Sequence, residues 1–303
     1  MSPLVAHTRL RRNQPTQSLS ADHSPTTAAH PTGSAVRLRG AELAYGDRVL
    51  WSGIDMDVAH GQFVTILGPN GSGKTSLLRA LLGVMPLTRG TVEVNGRPVR
   101  RGDKHLGYIP QHRGYDTDVP LRARDLVRLG IDGHRWGPPM PNRTARGKVD
   151  ELLAQVGATA YADVPLGQLS GGEQQRLRVA QALANDPSVL LCDEPLLSLD
   201  LNHQQTVVDL IDQRRRTHGT TVLFVTHEIN PVLAMTDLVL YVIDGGFRLG
   251  AVDEVLTTST LSELYRAPVE VIRRGNRVVV VGAVDSSGTH HPHEAAPQRG
   301  PRR

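Results

Sequence analysis

Residues 63–75 read Phe63-Val64-Thr65-Ile66-Leu67-Gly68-Pro69-Asn70-Gly71-Ser72-Gly73-Lys74-Thr75: five apolar or β-branched residues breaking into a glycine-rich loop that ends in Lys-Thr. The run is short and β-rich, so it reads as a buried strand. Leu77, Leu78, Leu81 and Leu82 follow at helical spacing. Residues 68–75 match G-x-x-x-x-G-K-[ST] between that strand and that helix. The glycines let the backbone wrap phosphates with its N–H groups inward, and the helix start adds partial positive charge. Lys74 reaches the β- and γ-phosphates and the Thr75 hydroxyl suits magnesium. A chance match arises in on the order of one per cent of chains this long, and the strand and helix on either side reduce that further. Nucleotide phosphate binding follows; its use does not.

Working outward, Ile54, Met56 and Val58 alternate with Asp55 and Asp57, as in a half-buried antiparallel strand. His60-Gly61 turns the chain, and another strand at 91–94 ends at Asn95-Gly96. Residues 112–168 hold Pro120, Pro138, Pro139, Pro141 and Pro165, with helices expected at about 122–130 and 146–156. They read as a helical insertion with irregular joints. Then come a helix (171–184), a buried strand (189–192), a helix (202–217), a strand (221–225), a short helix near Asn230-Pro231 and a strand (238–243). That alternation predicts a parallel sheet covered on both faces. The segments 269–272 and 278–281 form a hairpin through Gly275-Asn276. Residues 1–34 and 285–303 lack hydrophobic period and read as disordered tails, the first equally explained by an over-long start.

The 303 residues are 39% hydrophobic and 21% charged, which excludes a collagen, a coiled coil or a wholly disordered chain. Lys+Arg 34 against Asp+Glu 30 gives +4 with no basic stripe, so no nucleic-acid partner is expected. One cysteine, Cys192, permits no intrachain disulfide and reads as an inert buried thiol. The apolar runs, such as 238–243 and 278–281, fall far short of the roughly 20 residues a spanning helix needs. The basic N-terminal residues have no apolar stretch behind them, so they are not a secretory signal.

Two further segments carry chemistry. Leu169-Ser170-Gly171-Gly172-Glu173 opens a helix with Ser170 and Glu173 at capping-box spacing. That alone could be only a well-capped helix, but the two glycines leave N–H groups uncovered for an anion. The residues leave both readings open. The strand 189–192 ends in Asp193-Glu194. Asp193 is placed to hold magnesium and Glu194 to take a proton from attacking water, unless the pair only caps a helix.

In combination, GPNGSGKT at 68–75, LSGGEQQR at 169–176 and LLCDEP at 190–195 resemble the ATP-binding-cassette (ABC) ATPases, over nearly all of residues 35–268. The resemblance implies an α/β fold: a P-loop ABC ATPase with an antiparallel β subdomain, a RecA-like core and a helical subdomain at about 112–170. It also implies a C-terminal hairpin at 269–284. It assigns Tyr45 to adenine stacking, Gln111 to sensing magnesium and γ-phosphate, Asp200 to linking two sites, and His227 to positioning water and γ-phosphate. Gly68, Pro69, Asn70, Gly71, Ser72, Gly73, Lys74 and Thr75 would hold ATP in one subunit, and Ser170, Gly171 and Gly172 would close it in the other. The chain has one of each half, so a head-to-tail homodimer with two equivalent sites is expected. Thr75, Gln111 and Asp193 would serve Mg2+, and Glu194 would be the general base.

No membrane segment accompanies this motor, so transport would need a separate membrane permease and, indirectly, an extracytoplasmic metal-binding protein. The expected location is peripheral, on the cytoplasmic face of the plasma membrane. The stretches 119–130, 194–205 (EPLLSLDLNHQQ) and 224–231 (FVTHEINP), with the hairpin, resemble importers of zinc, manganese and related divalent metals. Ferric-siderophore importers share part of the pattern. A soluble ABC ATPase acting on ribosomes or DNA is disfavoured by a single cassette without heptads, and an exporter by the hairpin. His290, His291 and His293 could bind metal, although a solvated low-complexity end suits their composition better.

Overall fold

The computed structural model describes residues 33–111, 120–133 and 143–282. The tails at 1–32 and 283–303, with the three tail histidines, and Val119 lie outside the described residues.

The chain opens with β1 (Ser34–Tyr45) and β2 (Arg48–Ala59), followed by β3 (Phe63–Leu67) and α1 (Lys74–Leu81). Next come β4 (Arg89–Val94), β5 (Arg97–Pro98) and β6 (Leu106–Ile109). A helical region holds α2 (Ala123–Asp132) and α3 (Arg143–Gln155), and α4 (Gly171–Leu183) leads back to β7 (Val189–Asp193). After α5 (Leu201–His218) run β8 (Thr221–Val225), β9 (Leu238–Ile243) and β10 (Gly246–Gly250). The short helices α6 (Val252–Val255) and α7 (Thr258–Tyr265) precede a hairpin of β11 (Glu270–Arg274) and β12 (Arg277–Val281).

Two main sheets result. An antiparallel one runs β2-β1-β4-β5, and a six-stranded one runs β10-β9-β3-β8-β7-β6 with only β10 antiparallel. β3, β7 and β8 are buried on both faces, which is why they read as unbroken apolar runs. Alternate side chains serve two cores. Phe63, Leu190, Cys192, Val222 and Phe224 join the cluster built with α2 to α5. Val64, Ile66, Leu191, Leu223 and Val225 join the cluster built with α1, β1 and β2. Each such buried aliphatic or aromatic side chain contributes roughly 1.5–3 kcal/mol.

The expected elements are present with shifted ends. The helix expected near Asn230-Pro231 is instead a short 3-10 turn at Leu233–Met235. The strands β1, β5, β6 and β10 and the helices α6 and α7 are additional to the elements that the sequence predicts. In β1, Val36 and Leu38 point inward while Arg37 and Arg39 pair with Asp57 on the outer face. The Ser34 hydroxyl and then those guanidiniums hold the Asp57 carboxyl well below the usual carboxylate range.

Candidate functional site

The parallel strands all deliver their carboxyl ends to one edge, where open α/β sheets bind ligands. β3 ends in the phosphate loop, β7 in Asp193 and Glu194, β8 leads to His227, and β6 leads to Gln111. Tyr45, Asn70, Gly71, Gly73, Lys74, Thr75, Gln111, Glu194 and His227 line one cavity of about 570 Å³ there. Gly68 and Pro69 face an adjoining cavity, while Ser72 is buried.

The loop turns into α1 through Gly73, which sits at φ +95. That left-handed conformation favours glycine, and buried Trp51 leaves no room for a Cβ there. Lys74 Nζ donates to the carbonyls of Gly68 (2.7 Å) and Pro69 (2.8 Å). Burial lowers the pKa of the Lys74 ammonium, while the charges of Glu194 and Asp193 oppose that fall. Anionic phosphates would do the same. Tyr45 is 54% exposed, an aromatic face open to a planar base.

Thr75 Oγ1 donates to Asp193 Oδ1 at 2.9 Å. The other oxygen, Oδ2, accepts from the Tyr108 hydroxyl at 3.2 Å. Burial, followed by the Asp193 charge and this bond, pushes the Tyr108 phenol up to about 12, so it remains a donor. Among the described residues no group of three or more His, Cys, Asp or Glu could hold a metal. The hydroxyl–carboxylate pair nonetheless fits magnesium, which takes few protein oxygens and completes its shell with phosphate and water. Cys192 is fully buried, and burial with the neighbouring Asp193 raises its thiol pKa far above normal, as befits an inert group.

Glu194 is held on both carboxylate oxygens. Gln111 Nε2 donates to Oε2 at 2.8 Å, and His227 Nε2 lies 2.5 Å from Oε1. Its backbone has φ +48, a conformation that costs a non-glycine residue on the order of 1–3 kcal/mol. The Glu194 N–H bond to Val225 O at 3.0 Å ties this residue to the end of β8. Both side-chain contacts hold this carboxylate in the cavity it shares with the phosphate loop.

Ser170, Gly171, Gly172 and Asp200 are not among the residues lining this cavity. The capping box at Ser170 is real. Ser170 Oγ accepts from Glu173 N at 3.3 Å, and Ser170 N donates to Glu173 Oε2 at 2.8 Å. Burial opposes, but the Ser170 bonds prevail and hold the Glu173 carboxyl below its ordinary value. As the first two residues of α4, Gly171 and Gly172 have N–H groups without intrahelical acceptors, so capping does not exclude an anion site. Asp200 caps α5 through His203 N (3.0 Å) and also meets His203 Nδ1 at 2.6 Å.

Three neighbours escaped the sequence reading. Tyr108 lies three residues before Gln111, and an aromatic beside a glutamine-bearing loop was its only signal. His203 gave none beyond its place in the α5 pattern. Asn230 bonds both Val278 N (2.9 Å) and Val278 O (3.0 Å), pinning β12 to the loop that carries His227.

Residues 51–197 match the family model described as ABC transporter. The chain is 33% identical over 249 residues to the zinc transport system ATP-binding protein TroB of Treponema pallidum, covering 81% of this chain and 93% of that one. It is 31% identical to the manganese transport system ATP-binding protein MntB of Halalkalibacterium halodurans, covering 81% and 98%. A solved dimeric structure, the ATP-binding cassette MJ0796 in a post-hydrolysis state with ADP and Pi, superposes at TM-score 0.61 and 27% identity, covering 71% of this chain and 98% of that one.

Proposed function

The chain belongs to the ABC transporter family as an ATP-binding, ATP-hydrolysing subunit, and from that premise we propose that it powers an importer of a divalent metal ion, zinc or manganese. The observation that carries the mechanism is the convergence of Gln111, Glu194 and His227 beside the phosphate loop. Support for the substrate class comes from the relatives, whose names specify zinc and manganese transport.

In this reading Tyr45 stacks on adenine. The loop from Gly68 to Thr75 cradles the phosphates, and Lys74 exchanges its two loop carbonyls for phosphate oxygens. Magnesium, held at Thr75 and Asp193 with Gln111 nearby, would neutralise charge developing on the phosphates. Gln111 and His227 orient the Glu194 carboxylate, which takes the proton of the attacking water, and His227 also holds the γ-phosphate. Ser170, Gly171, Gly172 and Asp200 close the site of a second copy, so ATP closes a homodimer and hydrolysis reopens it. The units are residues 35–268, including the helical subdomain at about 112–170, and the hairpin at 269–284.

Among the described residues no helix is long and apolar enough to cross a membrane. The permease is therefore proposed as a separate chain, with this one peripheral on its cytoplasmic face and an extracytoplasmic binding protein delivering the metal. Glu194→Gln should keep ATP binding and trap a dimer in MgATP while turnover falls about 10²–10⁴-fold. Turnover persisting in that variant contradicts the role of Glu194. Uptake by the chain reconstituted with its permease, tested with zinc, manganese and ferric siderophore separately, decides the cargo. Siderophore uptake without metal uptake overturns the divalent-metal reading.

A further inference from the structure

The ring of His203 lies directly against the backbone of Gly172. A Cβ on Gly172 would fall 2.2 Å from His203 Cδ2, 2.7 Å from Cγ and 2.8 Å from Nε2. Gly172 is the second residue of α4 and buried, and no left-handed φ requires glycine there. The imidazole occupies the space that a Cβ there would need.

The ring itself is fixed from the other side. His203 Nδ1 is 2.6 Å from Asp200 Oδ2, while His203 N donates to Asp200 Oδ1 at 3.0 Å. One carboxylate therefore both caps α5 and orients the ring. The charged groups facing His203 are Asp200 from its own helix and Glu173 from α4, whose carboxyl His203 helps to hold low. The result is a chain of contacts, Gly172 to His203 to Asp200, joining the starts of two helices.

We propose that His203 is a positioning residue for the ATP-closed dimer: its ring braces the Ser170–Gly172 turn against Asp200, so both reach a second copy's nucleotide as one unit. The inference rests on the reading of those residues as the half-site completed by a partner. His203 touches no nucleotide itself. If the brace is lost, the turn and the Asp200 loop move independently, and ordering them must be added to the cost of closure.

The test is a double-mutant cycle in full-length chain carrying Glu194→Gln, read as the MgATP concentration that gives half-maximal dimer. Binding of a fluorescent ATP analogue to the single chain serves as a control for folding and for the phosphate loop. His203→Ala should raise the half-maximal concentration about tenfold with analogue binding unchanged, and Gly172→Ala should raise it about 100-fold. The combined variant should fall back to within about threefold of His203→Ala, because the missing ring makes room for the methyl. A combined variant as impaired as Gly172→Ala overturns the proposal, since the methyl then obstructs something other than the ring. Equal dimerisation by His203→Ala and its parent also overturns it, while leaving the two-copy reading intact. If the Glu194→Gln parent fails to dimerise in MgATP, the two-copy reading falls, and this inference with it.

Discussion

The phosphate loop and the Ser170–Gly172 turn both present a helix start to an anion, but their surroundings differ. Around the first, four strand ends bring together Lys74, a bonded pair of Thr75 and Asp193, and Glu194 held between Gln111 and His227. Around the second, the polar groups satisfy each other: Ser170 with Glu173, and Asp200 with His203. Tyr45, Lys74 and Glu194, the residues proposed as adenine platform, phosphate ligand and base, line one cavity with the first, and the second is not among the residues lining it. On the proposed reading, the first is the site that does chemistry and the second the surface that completes the site of another copy.

Several substitutions break or sharpen that contrast. Lys74→Ala removes the ammonium proposed to bind the phosphates, and should weaken ATP binding about 100-fold by calorimetry while leaving the Ser170 turn unaffected. Unchanged affinity would mean the loop is not the nucleotide cradle. Tyr108→Phe removes one bond to Asp193, worth about 1 kcal/mol, and should lower kcat about fivefold with little change in ATP affinity. A kcat matching the parent would make Tyr108 a packing residue only.

On the other side, Ser170→Ala should cost about 1 kcal/mol of stability in thermal melts through loss of the cap. It should also impair dimer formation, which a purely structural cap would not. The smallest effect concerns pH. Glu173 has its pKa lowered by folding, so its stabilisation is present above the ordinary carboxylate pKa and is lost as pH falls through the folded value. Glu173→Gln should therefore flatten the loss of stability as pH falls below the ordinary carboxylate pKa. An acid limb identical to the parent's would show that the capping box carries no charge-dependent stability.

Most of the chemistry-bearing side was legible in the sequence because it is local. The strand 63–67, the loop 68–75 and the strand 189–193 announce themselves by composition and spacing, and burial on both faces explains their unbroken apolar runs. Resemblance, rather than spacing, supplied Tyr45, Gln111, Asp200 and His227, since a lone residue carries no local signal. What stayed hidden was contact between distant segments. Tyr108 meets Asp193 across 85 residues, Asn230 meets Val278 across 48, and the His203 ring meets Gly172 between two helices. Such pairings depend on how helices and strands dock, which periodicity does not encode. The 3-10 turn at Leu233–Met235 lies just after Asn230-Pro231, a pair that suits a helix start but does not say how far the helix runs.

Mixing two disabled chains tests the shared-site claim most directly. A Lys74→Ala chain lacks a working cradle, and a Ser170→Glu chain repels phosphate from the completing turn. Each alone should be inactive, but a mixed dimer keeps one intact cradle facing one intact turn. ATPase activity should appear on mixing and peak near equal proportions, at about a quarter of the wild-type rate for random pairing into twofold dimers. A mixture no more active than its separate components, at every ratio, would show that each chain hydrolyses ATP alone or not at all.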